Sequence, residues 1–155
     1  MLKKRAVFRQ CFADFDYDRI AEFTESDIER ILNTEGMLRS RRKIEAVINN
    51  ARYFIKIREE FGSFCGYIWD FAGGKTILYR GHEAPDGRIA VSNALSDRLS
   101  RELKKRGFKY VGPVTIYSHL QACGVINDHG AACPCRQRIC AQYPTVELEP
   151  DGDVF

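Results

Sequence analysis

The sequence lacks the features that would place it in a membrane or in a secretory route. No apolar run approaches the roughly 20 residues a bilayer-spanning helix needs. No hydrophobic core follows the basic start Met1-Leu2-Lys3-Lys4-Arg5. Membrane, secretory and fibrous readings are therefore set aside. Apolar–polar alternation, the mark of half-buried strands, is almost absent. There is no internal repeat, phosphate-binding loop, dinucleotide fingerprint or Ser-His-Asp order. Carboxylates are plentiful, yet none stands in a context that marks it as a general acid or base, so no catalytic residue is assigned. The stretch 141–155 lacks positive charge: it holds Glu147, Glu149, Asp151 and Asp153 and no Lys or Arg.

What remains is an ordinary soluble composition, 155 residues with 45% hydrophobic and 29% charged, enough for one domain with its own core. The net charge is only +3, but residues 1–140 hold all 24 basic and only 17 of the 21 acidic residues, leaving that body at +7. A body of that sign suits a polyanionic partner, nucleic acid among them. The six cysteines (Cys11, Cys65, Cys123, Cys133, Cys135 and Cys140) come without a leader. Metal ligation or plain packing then outranks a disulfide framework, and the cytoplasm is the expected compartment.

Helical periodicity dominates. It predicts a helix over Lys3–Phe15, with Val7, Phe8, Cys11, Phe12 and Phe15 on one stripe, and a short one over Tyr17–Phe23. Thr24 with Asp27 three residues on reads as a capping box opening a third helix, which stops near Gly36. The longest helix, about Arg41 to Phe61, carries Ile44, Val47, Ile48, Ala51 and Ile55 on one face. Gly62 ends it, and Ser63 caps another short helix through Trp69 and Phe71. Gly73–Ile89 reads as a loop. Ser92 opens a helix with Leu95, Leu99 and Leu103, closed by Gly107, and Pro113 begins a further one to about Gly124. The expectation is a single all-α domain over 1–140 and an acidic, disordered tail over 141–155.

The stretch Leu99–Gly124 is helix, tight turn, helix, with Gly107 and Gly112 bracketing the turn. Gly112-Pro113 sets unpaired N–H groups and a positive dipole end beside the turn, where an anion is favoured. Lys104, Lys105, Arg106 and Lys109 flank it. Such a helix-hairpin-helix suits a DNA backbone phosphate gripped without base readout; an ordinary αα-hairpin with a solvated basic end fits the same residues. Arg39, Arg41, Arg42 and Lys43, at the start of the long helix, form a second basic group with the same two readings. Asn127-Asp128-His129 followed by Cys133 gives an i, i+4 pair of zinc-type donors, with Cys135 and Cys140 near enough in sequence to complete a local set. His119 reads as a packed core histidine, and free thiols remain an alternative to metal.

Longer motifs carry a resemblance. Arg39-Ser40-Arg41-Arg42-Lys43-Ile44-Glu45-Ala46-Val47-Ile48-Asn49-Asn50-Ala51-Arg52 resembles the long-helix motif of 3-methyladenine DNA glycosylase I. So do Ser92-Asn93-Ala94-Leu95-Ser96, the stretch from Leu103 through Gly107-Phe108-Lys109-Tyr110-Val111-Gly112-Pro113 to Ser118, and Gln121-Ala122-Cys123-Gly124-Val125-Ile126-Asn127-Asp128-His129. The resemblance runs from Leu2 to Cys133. It implies a helical helix-hairpin-helix enzyme of base-excision repair, a monofunctional glycosylase that excises 3-methyladenine from alkylated double-stranded DNA by hydrolysis. The expected partner is DNA with alkylated purines, bound by a monomer and without a membrane.

By matching position, the resemblance implies DNA contacts from Lys105, Arg106, Lys109, Tyr110, Val111, Gly112 and Pro113, and a base-pocket floor from Ser118 and Thr115. It implies a structural Zn2+ for which His129 and Cys133 are two of four ligands. Met1-Leu2-Lys3-Lys4-Arg5 falls well inside the family's own pattern. The family's other two ligands, stacking aromatics and pocket carboxylate therefore have no matching position, and no catalytic residue is carried over. The expectation is an N-terminally truncated glycosylase that cleaves only in extended form. The alternative is a non-catalytic helix-hairpin-helix DNA-binding remnant.

Overall fold

In the computed structural model, which describes residues 2–79 and 90–148, helices dominate as the periodicity predicts. The chain divides into two units. The first holds residues up to Phe64 together with Arg106–Tyr110; the second holds Cys65–Lys105 and the residues from Val111 onward.

In the first unit a 3-10 turn (Leu2–Lys4) leads into α1 (Arg5–Cys11), followed by α2 (Tyr17–Ala21), α3 (Glu25–Asn33) and α4 (Arg41–Phe61). The first helix ends four residues earlier than its stripe suggests. Cys11 and Phe12 are buried to 1% and 2% exposure, and the chain then reverses through Ala13, Asp14 and Phe15 at φ 48°, 56° and 66°. Burying that pair requires a turn which the right-handed helix cannot make. Phe15, placed on the apolar stripe by sequence, is instead 48% exposed. The Asp16 carboxylate then caps α2, accepting from the N–H of Asp18 and Arg19 at 3.1 Å. At α3 the capping box forms as read: Asp27 Oδ2 accepts from the Thr24 N–H at 3.0 Å and from its hydroxyl at 3.1 Å.

Twenty-one residues long, α4 is the axis of this unit. Its Ile44, Ile48 and Ala51 close on Cys11, Phe12, Ile20, Ile28, Ile31 and Met37, while Val47 and Ile55 pack at the edge of the same cluster. Each such aliphatic side chain contributes about 1.5–3 kcal/mol by leaving water. Arg58 fixes α2 on α4 by a two-pronged pair with Asp18 at 2.9 and 3.0 Å, its cation over the Tyr17 ring.

The second unit contains what the sequence did not announce. It holds α5 (Phe64–Phe71, whose first residue belongs to the other unit), β1 (Thr76–Tyr79), α6 (Ala94–Lys105), α7 (Pro113–Ala122), α8 (Pro134–Gln142) and β2 (Thr145–Leu148). Part of the segment read as a loop is β1, wholly buried and paired in parallel with β2 from Thr76↔Thr145 to Tyr79↔Leu148. On its other side Ile77 exchanges hydrogen bonds with Val125 and Asn127 at 2.8 and 2.9 Å. The tail expected over 141–155 is thus structured as far as Leu148, in α8 and β2; residues 149–155, like 80–89 of the loop reading, lie outside the described residues. The cap of α6 is Asn93 rather than Ser92: Asn93 Oδ1 accepts from the Ser96 N–H, and Ser96 Oγ from the Asn93 N–H, both at 2.9 Å. No described helix is long and apolar enough to cross a membrane.

Candidate nucleic-acid interface

The turn between α6 and α7 runs through both units, and each part is held within its own. In the first unit, two adjacent asparagines of α4 grip its backbone. Asn49 Nδ2 donates to the Gly107 carbonyl at 2.9 Å. Asn50 makes two hydrogen bonds to one residue, its Nδ2 donating to the Lys109 carbonyl at 2.9 Å and its Oδ1 accepting from the Lys109 N–H at 2.8 Å. Phe108 is buried to 8% exposure, its ring 6.0 Å from Tyr53 and 6.1 Å from Phe64.

Gly107 is required twice over. Its φ is +100°, and a Cβ there would lie 2.3 Å from Tyr53 Cζ. Arg106 turns into the same unit, pairing with Glu60 at 2.7 Å and lying over the Phe61 ring. Its hydrogen bond holds the Glu60 carboxyl below the usual carboxylate range. What the grip leaves outside is Lys109 and Tyr110, both exposed.

In the second unit, Ser100 Oγ donates to the Val111 carbonyl at 2.6 Å. Gly112 is the N-cap of α7 and Pro113 its first residue, as read from sequence. The first N–H groups of a helix have no partner within it, and together with the dipole they favour negative charge. Lys104 and Lys105 end α6 and are exposed. Thr115 and Ser118, expected at a pocket floor, are exposed on α7, and the Ser118 hydroxyl donates to the Val114 carbonyl at 3.1 Å. Sequence reasoning missed Asn49 and Asn50. Two consecutive asparagines inside a long helix, where the residue is a poor helix former, were the available signal.

Beyond α7 the chain brings His129 and Cys133 together, Nδ1 to Sγ, at 3.7 Å. A tetrahedral zinc with bonds of about 2.3 Å to sulfur and 2.0–2.1 Å to nitrogen sets those atoms about 3.5 Å apart, so the pair fits one edge of such a site. Cys133 caps α8. The backbone N–H groups of Cys135 and Arg136 hold its thiol below the ordinary range, which favours the ligating thiolate. Among the described residues no three His, Cys, Asp or Glu side chains gather into a metal site, although the Cys135 side chain also hydrogen-bonds to Cys133. His119 is not a simple core residue: its ring is exposed beside Cys123 Sγ at 3.6 Å, though partial burial lowers its pKa.

Near the pair, Asp128 accepts from Tyr117 Oη and, at 3.0 Å, from Gln121 Nε2. Burial first, and this carboxylate second, push the Tyr117 phenol well above its usual range.

Fold and turn define a class: a helical protein that presents a basic, backbone-pinned hairpin. The methyladenine glycosylase family model matches residues 1–137. The chain is 39% identical over 135 residues to DNA-3-methyladenine glycosylase 1 of Escherichia coli K12, covering 87% of this chain and 71% of that one. A crystal structure of a 3-methyladenine DNA glycosylase I superposes with a TM-score of 0.76 at 43% identity, covering 86% of this chain and 72% of that one. The Staphylococcus aureus enzyme, whose structure addresses 3-methyladenine recognition, gives 0.75 at 34%, with 86% and 70% covered. The chain belongs to the methyladenine glycosylase family.

Proposed function

We propose that this protein acts in DNA base-excision repair, hydrolysing the N-glycosidic bond of 3-methyladenine in alkylated DNA and leaving an abasic site. The observation that carries this is the family match over residues 1–137, which takes in the pinned turn whole. The chemistry is coherent with such a turn. N3-methylation makes the nucleoside cationic, so the departing base takes the bond electrons and leaves neutral, while water adds to the sugar and releases a proton. Because the leaving group is already good, the protein's task is to grip the duplex and take the nucleotide out of the stack.

The reading assigns the grip to a helix-hairpin-helix: Lys105 and Lys109 as cations, and the backbone of Tyr110, Val111, Gly112 and Pro113 as the phosphate cradle. Arg106, neutralised by Glu60, orders the turn rather than binding phosphate. The partner is double-stranded DNA bearing alkylated purines, bound by a monomer in the cytoplasm. His129 and Cys133 would hold a zinc ion as two of its ligands, and when bound that ion supplies a structural cross-link and no chemistry. The 3.7 Å approach of the two donors supports this. Two ligands alone hold zinc weakly, so metal analysis of the purified protein, with Cys133→Ser as control, is expected to find less than one zinc per chain, lost in the variant; stoichiometric zinc would instead mean that Cys135 or Cys140 completes the site.

A second reading, a DNA-binding module without chemistry, is favoured by one observation: Asn50 pins the Lys109 backbone to α4, whereas Thr115 and Ser118 sit exposed on α7. Chromatographic detection of free 3-methyladenine from methylated duplex DNA separates the two readings. Release supports the glycosylase; tight binding with the base retained supports the module.

A further inference from the structure

The start of α4 carries cations that the fold does not use. Arg41 is taken up within it, pairing with Glu25, Glu29 and Glu45. Arg39, Arg42 and Lys43 are exposed, and among the described residues their side chains have no hydrogen-bond, ion-pair or ring partner. No acidic residue stands in the first turn of α4 to offset them. Positive charge there opposes the helix dipole, so these three cations do not stabilise the helix. They do share its sides with the grip on the turn between α6 and α7. Arg42 lies seven residues before Asn49, and Lys43 seven before Asn50. Seven residues are about two helical turns, which sets each pair on one side of α4, about 10.5 Å apart along its axis. Asn49 and Asn50 hold the backbone of Gly107 and Lys109, and Lys109 is exposed. All of these residues belong to the first unit.

We propose that Arg39, Arg42 and Lys43 form a second phosphate-binding patch, which holds the backbone of duplex DNA a few nucleotides from the point where the turn grips it. Each strand of a duplex advances about 3.4 Å along the axis per nucleotide, so a separation of about 10 Å is within its reach. Cations that meet phosphate oxygens read no sequence, so the patch adds affinity alike for methylated and unmodified DNA. This rests on the DNA-binding reading above and extends it from the turn to α4.

The test measures affinity for an unmodified duplex oligonucleotide across a salt series, together with thermal unfolding. Each neutralised phosphate contributes about 0.9 to the slope of log affinity against log salt. The double variant Arg42→Gln with Lys43→Gln should therefore flatten that slope by about two, and bind at least about tenfold more weakly at about 50 mM salt. Lys43→Arg should match the parent. Arg19→Gln removes an exposed cation from α2, which Arg52 and Arg58 tie to the far end of α4, and should leave the slope unchanged. The double variant should melt no lower than the parent, an outcome that a merely structural role for these side chains cannot give. If the parent binds and the double variant keeps its slope, or Arg19→Gln flattens the slope as much, the patch is wrong while the DNA-binding reading stands. If the parent fails to bind even at low salt, the DNA-binding reading itself falls.

Discussion

Replacing Asn50 by alanine removes two hydrogen bonds, at 2.8 and 2.9 Å, that attach the Lys109 backbone to α4. Each such bond contributes about 0.5–1.5 kcal/mol net. Both groups lie near solvent, so water can satisfy the freed N–H and carbonyl, and the lower half of the range applies. The expected loss is therefore about 1–2 kcal/mol, and it falls on the turn rather than on the core beneath it. At about 1.4 kcal/mol per factor of ten, a turn that must be re-ordered on binding should cost about 5- to 30-fold in affinity for duplex DNA. The melting temperature should fall by only about 2–8 °C. Asn50→Asp is the internal control: its carboxylate still accepts from the Lys109 N–H but can no longer donate to the carbonyl, so an intermediate loss is expected. Fluorescence anisotropy with a labelled duplex, alongside circular-dichroism melting, reads both quantities. Unchanged affinity in Asn50→Ala, with the parent binding normally, would refute the claim that α4 positions the turn for DNA.

Gly107→Ala should be among the most damaging single changes, by about 2–4 kcal/mol, because it combines overpacking against the Tyr53 ring with an unfavourable positive φ; unfolding in urea measures it. Asp27 contributes to acid stability with a definite sign. Its carboxyl is held below the ordinary value of 3.8, chiefly by the Thr24 N–H and next by Arg30. Its stabilisation is thus complete above the unfolded carboxyl's range and is lost as pH falls through the lower folded value. Asp27→Asn should flatten the acid limb of a stability–pH curve and leave its slope near neutrality unchanged. Glu60→Gln should remove the charge that offsets Arg106 while keeping the side-chain volume. The less neutralised turn should bind DNA more strongly at low salt, read in the same anisotropy titration.

Much of the helical framework was legible because its signals are local. Thr24 with Asp27 opened α3, a 21-residue amphipathic run with Gly62 behind it gave α4, and Gly112-Pro113 marked the start of α7. The sheet was not legible, for physical reasons. β1 is a four-residue apolar run, Thr76-Ile77-Leu78-Tyr79, buried on both faces, so it shows no alternation. Its partner Thr145-Val146-Glu147-Leu148 lies in an acidic stretch where four residues cannot establish a period. Parallel pairing across nearly seventy positions leaves no local trace.

The left-handed turn at Ala13–Phe15 is likewise a tertiary demand set by burying Cys11 and Phe12. At the candidate interface the glycines, proline and lysines announced themselves. The asparagines that hold the turn did not, because their hydrogen bonds span 58 and 59 positions. The His129–Cys133 pair was readable from i, i+4 spacing, whereas α8 was not, being hidden behind a ligand-like Cys-Pro-Cys.

The most direct test of the functional account follows the fate of the base. Methylated duplex DNA is incubated with the protein, the small-molecule fraction is analysed by mass spectrometry, and abasic sites are counted in the polymer. The account predicts free 3-methyladenine and abasic sites in equal number, with no strand breaks. Bound, fully methylated DNA that yields neither product would contradict it.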